Sequence, residues 1–171
     1  MNIHAKRAEY QVQQLTVLLV DDNAFIRNVV RGLLGTIGVK TVLEASDGIA
    51  ALELIRSAAP DVVILDWEMP LLNGPELVRI VRSPGVFPVP DIPIIMLTAH
   101  GQRWRIEESL KLGVNEYLCK PVSAKALLDR LISILLKPRE SILLGGYYGP
   151  VPRPPVPKSL SEAADPPSPA V

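Results

Sequence analysis

Short runs of apolar, often β-branched residues alternate along this chain with longer stretches whose apolar positions recur every three or four residues. The runs TVLLV (16–20), TVLEA (41–45), VVIL (62–65), IPIIML (92–97) and EYLC (116–119) predict five strands. The stretches between them carry helix start and stop signals. Asp22 stands as a cap before AFIRNVVRGLL, with Gly38 just beyond its end, and Asp47 precedes IAALELIRSA, which stops before Pro60. Asn73-Gly-Pro75 opens ELVRIVRS, a fourth helix spans about 102–112 and ends near Gly113, and Ser123 caps AKALLDRLISILLK before Pro138. The strand runs are nearly all apolar rather than alternating, as a parallel sheet covered on both faces demands. Five successive βα units with short connections imply right-handed crossovers, and hence an α/β, doubly wound sheet with helices on both faces.

Proline changes the picture at the C-terminal end. Over half of the 17 prolines follow Lys137, and GPVPRPPVPKSLSEAADPPSPAV has neither helical nor strand periodicity. The expected organisation is a polar lead-in over 1–14, a folded domain over 15–137 and a proline-rich, mostly disordered tail over 138–171. Apolar residues make up 48% of the chain, enough for a sizeable core. Lys plus Arg and Asp plus Glu balance at 18 each, so no global field draws the protein to DNA or to an anionic membrane. A single cysteine, Cys119, excludes an internal disulfide. With no apolar leader and no long apolar run, the expected location is the cytoplasm.

In open parallel sheets, sites form outside the carboxyl ends of the strands. The residues expected there are Asp21 and Asp22 after the first strand, Asp66 after the third, Thr98 after the fourth and Lys120, followed by Pro121, after the fifth. If the first and third strands are neighbours, three carboxylates converge, and their mutual repulsion favours a bound cation. Oxygen ligands without His or Cys favour Mg²⁺. A fixed ammonium and a hydroxyl beside a carboxylate and Mg²⁺ suit the oxygens of a transferring phosphoryl group, with Asp66 as nucleophile and an aspartyl phosphate as product.

The set LLVDDN, VVILDWEMPLLNG, IIMLTAH and YLCKP, in this order and spacing, resembles the receiver domain of two-component response regulators over about residues 15–137. The resemblance implies a flavodoxin/CheY-like three-layer sandwich with a five-stranded sheet in the order 2-1-3-4-5. It implies that Asp22 binds Mg²⁺ directly, that Asp21 acts mainly through water, and that Glu68 gives its backbone carbonyl to the metal while its side chain influences dephosphorylation. Lys120 would contact the phosphoryl group, next to a cis bond to Pro121. Thr98 would move toward that group, Ala99 would leave room, and Tyr117 would change rotamer in step. His100 and Glu68 would flank the path of attacking water. Trp67 is a bulky neighbour of the phosphoacceptor, and RSPGVFPVPDIP a candidate contact loop.

The function so implied is a bacterial phosphorelay switch, not an enzyme in its own right, although it assists its own phosphotransfer and dephosphorylation. It accepts a phosphoryl group from a histidine kinase or a histidine phosphotransfer protein. It then answers through the face of the fourth helix, fifth strand and fifth helix toward a downstream protein partner. Nothing after Pro138 has the pattern of a DNA-binding or enzymatic output domain, so a stand-alone receiver without direct DNA or membrane contact is expected. The resemblance also allows a homodimer through the same face. Two other readings stay open on the residues alone: a receiver-like module that binds partners unphosphorylated, and a phosphatase with an aspartyl-phosphate intermediate, for which Glu68 stands two residues after Asp66. Trp104 is either a partner contact or packing for its own domain. Cys119 reads as a small strand residue without redox role.

Overall fold

The computed structural model describes residues 2–85, 87–99 and 103–152. Six helices and seven strands follow one another as α1 (Ile3–Gln13), β1 (Thr16–Val20), α2 (Ala24–Thr36), β2 (Thr41–Ala45), α3 (Gly48–Ala58), β3 (Val62–Asp66), α4 (Gly74–Val81), β4 (Ile94–Ala99), α5 (Arg103–Leu112), β5 (Glu116–Lys120), α6 (Ala124–Leu136), β6 (Ser141–Leu144) and β7 (Tyr147–Pro150). The first five strands form one parallel sheet in the order β2-β1-β3-β4-β5. β3 lies at its centre and is buried along its whole length, which explains why its sequence is apolar on both faces up to Asp66.

Each face of the sheet builds its own core. On one side Leu18, Val20, Leu65 and Met96 pack with α3 and α4 through Ile55, Leu77 and Val81. On the other, Val17, Leu19, Ile64 and Leu97 meet Leu34 of α2, Leu127 and Leu131 of α6, and Val12 of α1. Alternate residues of β1, β3 and β4 thus enter opposite cores, the two-residue period of a strand expressed as a three-layer sandwich. No helix among the described residues is long and apolar enough to cross a membrane.

The helix starts follow the capping chemistry with one correction. Asp47, Asn73 and Ser123 cap α3, α4 and α6 through their side-chain oxygens, and Asn73 with Glu76 completes a reciprocal capping box. Asn23, not Asp22, caps α2: its Oδ1 accepts from the backbone N–H groups of Phe25 and Ile26 at 2.9 and 3.3 Å. An amide oxygen fills this role as well as a carboxylate does. β4 starts two residues later than the apolar run, because Ile92 and Pro93 still belong to the connection from α4.

Both ends differ from the sequence reading. The polar lead-in is helical, with Ala8 and Val12 one turn apart and buried while the rest of α1 is mostly exposed. Only two of its eleven residues, both small, are buried, too narrow a stripe to announce a helix. At the other end, SILLGGYYGP forms an antiparallel hairpin, with Leu144 opposite Tyr147 and Gly145-Gly146 between them. A two-glycine connection between short apolar runs is a hairpin signal, outweighed in the sequence reading by the prolines around it. Ordered structure therefore extends into the stretch expected to be a tail, while residues 153–171, with most of its prolines, lie outside the described residues.

Arg82 ties this hairpin to the domain, and pattern reasoning alone did not find it. It follows α4, is 1% exposed, and yet carries a charge. Its guanidinium donates to the carbonyls of Gly113, Pro90 and Ile92 at distances of 2.5–3.2 Å, and to Asn115 Oδ1 at 3.2 Å. Its own carbonyl accepts from the Tyr148 N–H at 2.7 Å. Burial pulls its pKa down to about 10, still a cation near neutrality. Arg82 thus holds the proline-rich connection before β4 at Pro90 and Ile92, with Phe87 and Ile92 buried while Gly85, Pro88 and Asp91 stay exposed.

Arg82→Met keeps length and apolar bulk but takes the guanidinium donors from the Gly113, Pro90 and Ile92 carbonyls, while Asn115 Oδ1 keeps only the Ile94 N–H. We expect a loss of about 3 kcal/mol in urea denaturation. A loss below about 1 kcal/mol contradicts this structural role.

Candidate functional site

β1 and β3 are neighbours in register, so the residues that leave their carboxyl ends arrive together. Asp21 and Asp22 follow β1, and Asp66 is the last residue of β3. One carboxylate oxygen from each of the three lies within 4.8 Å of the others. Asp21 and Asp66 are buried, at 1% and 6% exposure, whereas Asp22 is exposed. Because Asn23 takes the cap of α2, the Asp22 carboxylate is left to this cluster.

Two features hold the acids in place. Asp21 Oδ1 accepts from the Asn23 N–H at 2.9 Å, and its carbonyl accepts from Arg27 at 2.6 Å. Gly74, which opens α4, lets the helix start come close under the end of β3. A Cβ there would sit 2.6 Å from the Asp66 carbonyl oxygen, and the Gly74 N–H donates to the Trp67 carbonyl at 2.9 Å.

Lys120 closes the site from β5, two strands away. Its Nζ lies 2.9 Å from Asp66 Oδ1 and 3.3 Å from Asp21 Oδ2. The Lys120–Pro121 peptide is cis, as the motif implied. Burial pushes the Asp66 carboxyl up to about 6; the Lys120 hydrogen bond opposes the shift, and the charges of Asp21 and Asp22 add to it. Burial also pulls Lys120 down, but its bonds and charge partners outweigh this and leave it above the ordinary lysine value. One ammonium cannot balance three carboxylates, and the surplus negative charge faces a cleft of about 280 Å³. The donors at this rim are oxygens, the set that suits a hard divalent cation, and Asp21, Asp22 and Asp66 fit Mg²⁺ on that ground.

The remaining predicted residues divide. Ala99 and Glu68 line the same cleft. Thr98 is fully buried, and its hydroxyl points along the sheet to Cys119 Sγ at 3.8 Å rather than to Asp66. Cys119 is thereby the weak acceptor of that hydroxyl. Tyr117 is half-buried on β5, packed against the core on the α3–α4 side. His100 lies outside the described residues. Trp104 is 56% exposed but makes an edge contact with Trp67, ring centroids 5.9 Å apart. Arg105 was not anticipated. It reaches into the cleft from α5 and pairs with Glu68, an ion pair across 37 residues that no local pattern announces.

Comparison with known proteins follows the same outline. The chain matches the family model described as the response regulator receiver domain over residues 17–132. It is 39% identical over 122 residues to the chemotaxis protein CheY1 of Helicobacter pylori, covering 71% of this chain and 97% of the relative. Identity is 34% over 122 residues to CheY-3 of Vibrio cholerae, covering 71% and 92%. Among solved structures, the Francisella response regulator 1452 receiver domain superimposes with a TM-score of 0.63 at 34% identity, covering 72% and 98% of the two chains. The receiver domain of sensor histidine kinase PA1611 from Pseudomonas aeruginosa, solved with a magnesium ion coordinated in its active site cleft, gives a TM-score of 0.60 at 30% identity, covering 70% and 98%.

The raised Asp66 pKa sets a pH dependence in the metal-free protein. Its folded value lies above the ordinary 3.8, so its contribution to stability is fully present below about pH 4 and is lost as pH rises through about 6. A shift of this size is worth at most about 3 kcal/mol. Asp66→Asn removes the titration. The stability of Asp66→Asn relative to wild type, measured by urea denaturation in EDTA, should therefore rise by about 2 kcal/mol between pH 4 and pH 7.5. A difference that stays constant across this range contradicts the assignment.

Proposed function

The chain belongs to the response regulator receiver domain family, and from that premise we propose that it is a signalling switch operated by phosphorylation of Asp66. The observation that carries this reading is the Lys120 ammonium 2.9 Å from Asp66 Oδ1, with Asp21 and Asp22 within 4.8 Å of the same carboxylate. In the transfer step, an Asp66 oxygen attacks phosphorus on the imidazole of a histidine kinase or phosphotransfer protein. A P–O bond forms as the P–N bond breaks, and the imidazole leaves with a proton from solvent. Lys120 holds one phosphoryl oxygen and orients the group in line. Asp21, Asp22, Asp66 and the backbone carbonyl of Glu68 would hold Mg²⁺, which when bound offsets the charge of the phosphoryl oxygens.

Thr98 and Tyr117 then act as the switch. The Thr98 hydroxyl gives up only a weak sulfur acceptor when it turns toward the phosphoryl group, so the rotation costs little. Tyr117, half-buried on β5 and packed against the core, would change rotamer in step. The change is read on the face of α5, β5 and α6, where a downstream protein docks. Unlike the acid of a phosphatase, the Glu68 carboxylate is engaged by Arg105, which gives a leaving-group role no support.

Incubation with Mg²⁺ and acetyl phosphate should add the mass of one phosphate, mapped to Asp66. Asp66→Ala should take up none while keeping the fold, and Lys120→Ala should bind Mg²⁺ but lose the Tyr117 response. Uptake retained in Asp66→Ala, or no uptake in wild type, contradicts the proposal. Deleting residues 139–171 should leave uptake within about twofold of wild type, because the hairpin packs at the opposite ends of the strands. A tenfold loss would place the C-terminal segment in the phosphoryl site.

A further inference from the structure

The geometry points to Arg105 as a second phosphoryl-binding residue: its guanidinium exchanges the Glu68 carboxylate for the phosphoryl group on Asp66 and shields that group from water. The inference rests on the proposed phosphorylation of Asp66 and concerns a residue from outside the motifs that define the site. Three observations carry it. Arg105 lines the cleft that also holds Asp66 and Lys120, so a group built on Asp66 grows toward it. Its guanidinium carbon lies 5.5 Å from the Trp67 ring centroid and 5.3 Å from that of Trp104, so two indoles hold it from the sides. Its Nε is buried and has no hydrogen-bond partner among the described residues.

The exposures show which contact is exchangeable. The Arg105 side chain is 14% exposed, whereas that of its partner Glu68 is 69% exposed. A solvated carboxylate is a weak anchor. The indoles therefore keep the guanidinium in the cleft, and Glu68 occupies donors that a stronger anion can claim. A phosphoryl group carries more charge than a carboxylate and has three acceptor oxygens matched to the arginine fork. Once paired there, the planar guanidinium covers the open side of the cleft.

Hydrolysis of the aspartyl phosphate requires that side to be open. A water oxygen attacks phosphorus, the P–O bond to the Asp66 carboxylate breaks, the water's proton passes to solvent, and inorganic phosphate leaves. Arg105 paired with the phosphoryl group denies water this approach. Glu68 competes for the same guanidinium and so shortens the phosphoryl lifetime. Because Arg105 and Trp104 both belong to α5, the exchange also signals to that helix by a route separate from Thr98.

The test follows decay of the phosphorylated full chain by intact mass, after loading with acetyl phosphate and Mg²⁺ and removing the donor. Arg105→Ala should lose phosphate about fivefold faster than wild type. Arg105→Lys, which keeps the charge without the fork, should fall between. Glu68→Gln, which removes the competitor, should decay at least about twofold more slowly, and this slowing should vanish in the double variant. A merely structural role for Arg105 does not produce opposite effects at the two positions that fail to add. Decay of Arg105→Ala at or below the wild-type rate, or a Glu68→Gln effect that persists without Arg105, overturns the inference while leaving Asp66 as the acceptor. Absence of uptake in wild type overturns both readings, and if Arg105→Ala folds poorly the Glu68→Gln measurement alone decides.

Discussion

Repulsion among three carboxylates fixed at one rim is the constraint on which the rest of this molecule turns. Asp21 and Asp66 are buried, Asp22 stands beside them, and Lys120 offsets only part of their charge. In water such acids would move apart or protonate. Here β1 and β3 are locked in register by a ladder and two cores, so the acids cannot separate. The conflict is held in the fold and released by whatever cation or phosphoryl chemistry the rim accepts.

The two ends of the sheet divide the work. At the carboxyl ends, anions in surplus create a site that stability alone would not select. At the opposite ends, Arg82 is buried with its donors matched to carbonyls, closing the connection to β4 and the hairpin onto the domain. One buried charge is satisfied and serves the fold, while the other set is left unbalanced and serves function.

What was legible in the sequence follows from this division. The strands, the acids, Lys120 and most caps were readable because each is local: an apolar run ends, and a charged residue follows it; the strand order came from the family resemblance. Asn23 displaced Asp22 as cap because two competent oxygens stood side by side, and adjacency does not say which one turns inward. α1 escaped because only Ala8 and Val12 of it are buried. The hairpin had its signal in Gly145-Gly146, but proline-rich surroundings argued the other way. Arg82 and Arg105 were beyond reach for a different reason. Arg82 reaches Pro90 and Ile92 nearby but also Gly113, 31 residues away, and Arg105 reaches Glu68, 37 residues away. An arginine next to a helix end looks the same in sequence whether it faces water or a cleft. The orientation of Thr98 toward Cys119 is likewise a property of the register between β4 and β5, set by the fold rather than by the motif.

Under the proposed function, the uncompensated charge of the rim takes up one divalent cation. Calorimetric titration of the metal-free protein with Mg²⁺ near pH 7.5 tests it most directly, with Asp22→Asn as the comparison. Saturable binding of one ion per chain, weakened about tenfold or more when Asp22 loses its charge, is the predicted result. Featureless heats in wild type, or equal affinity in Asp22→Asn, would show that the three carboxylates do not form the site on which this account depends.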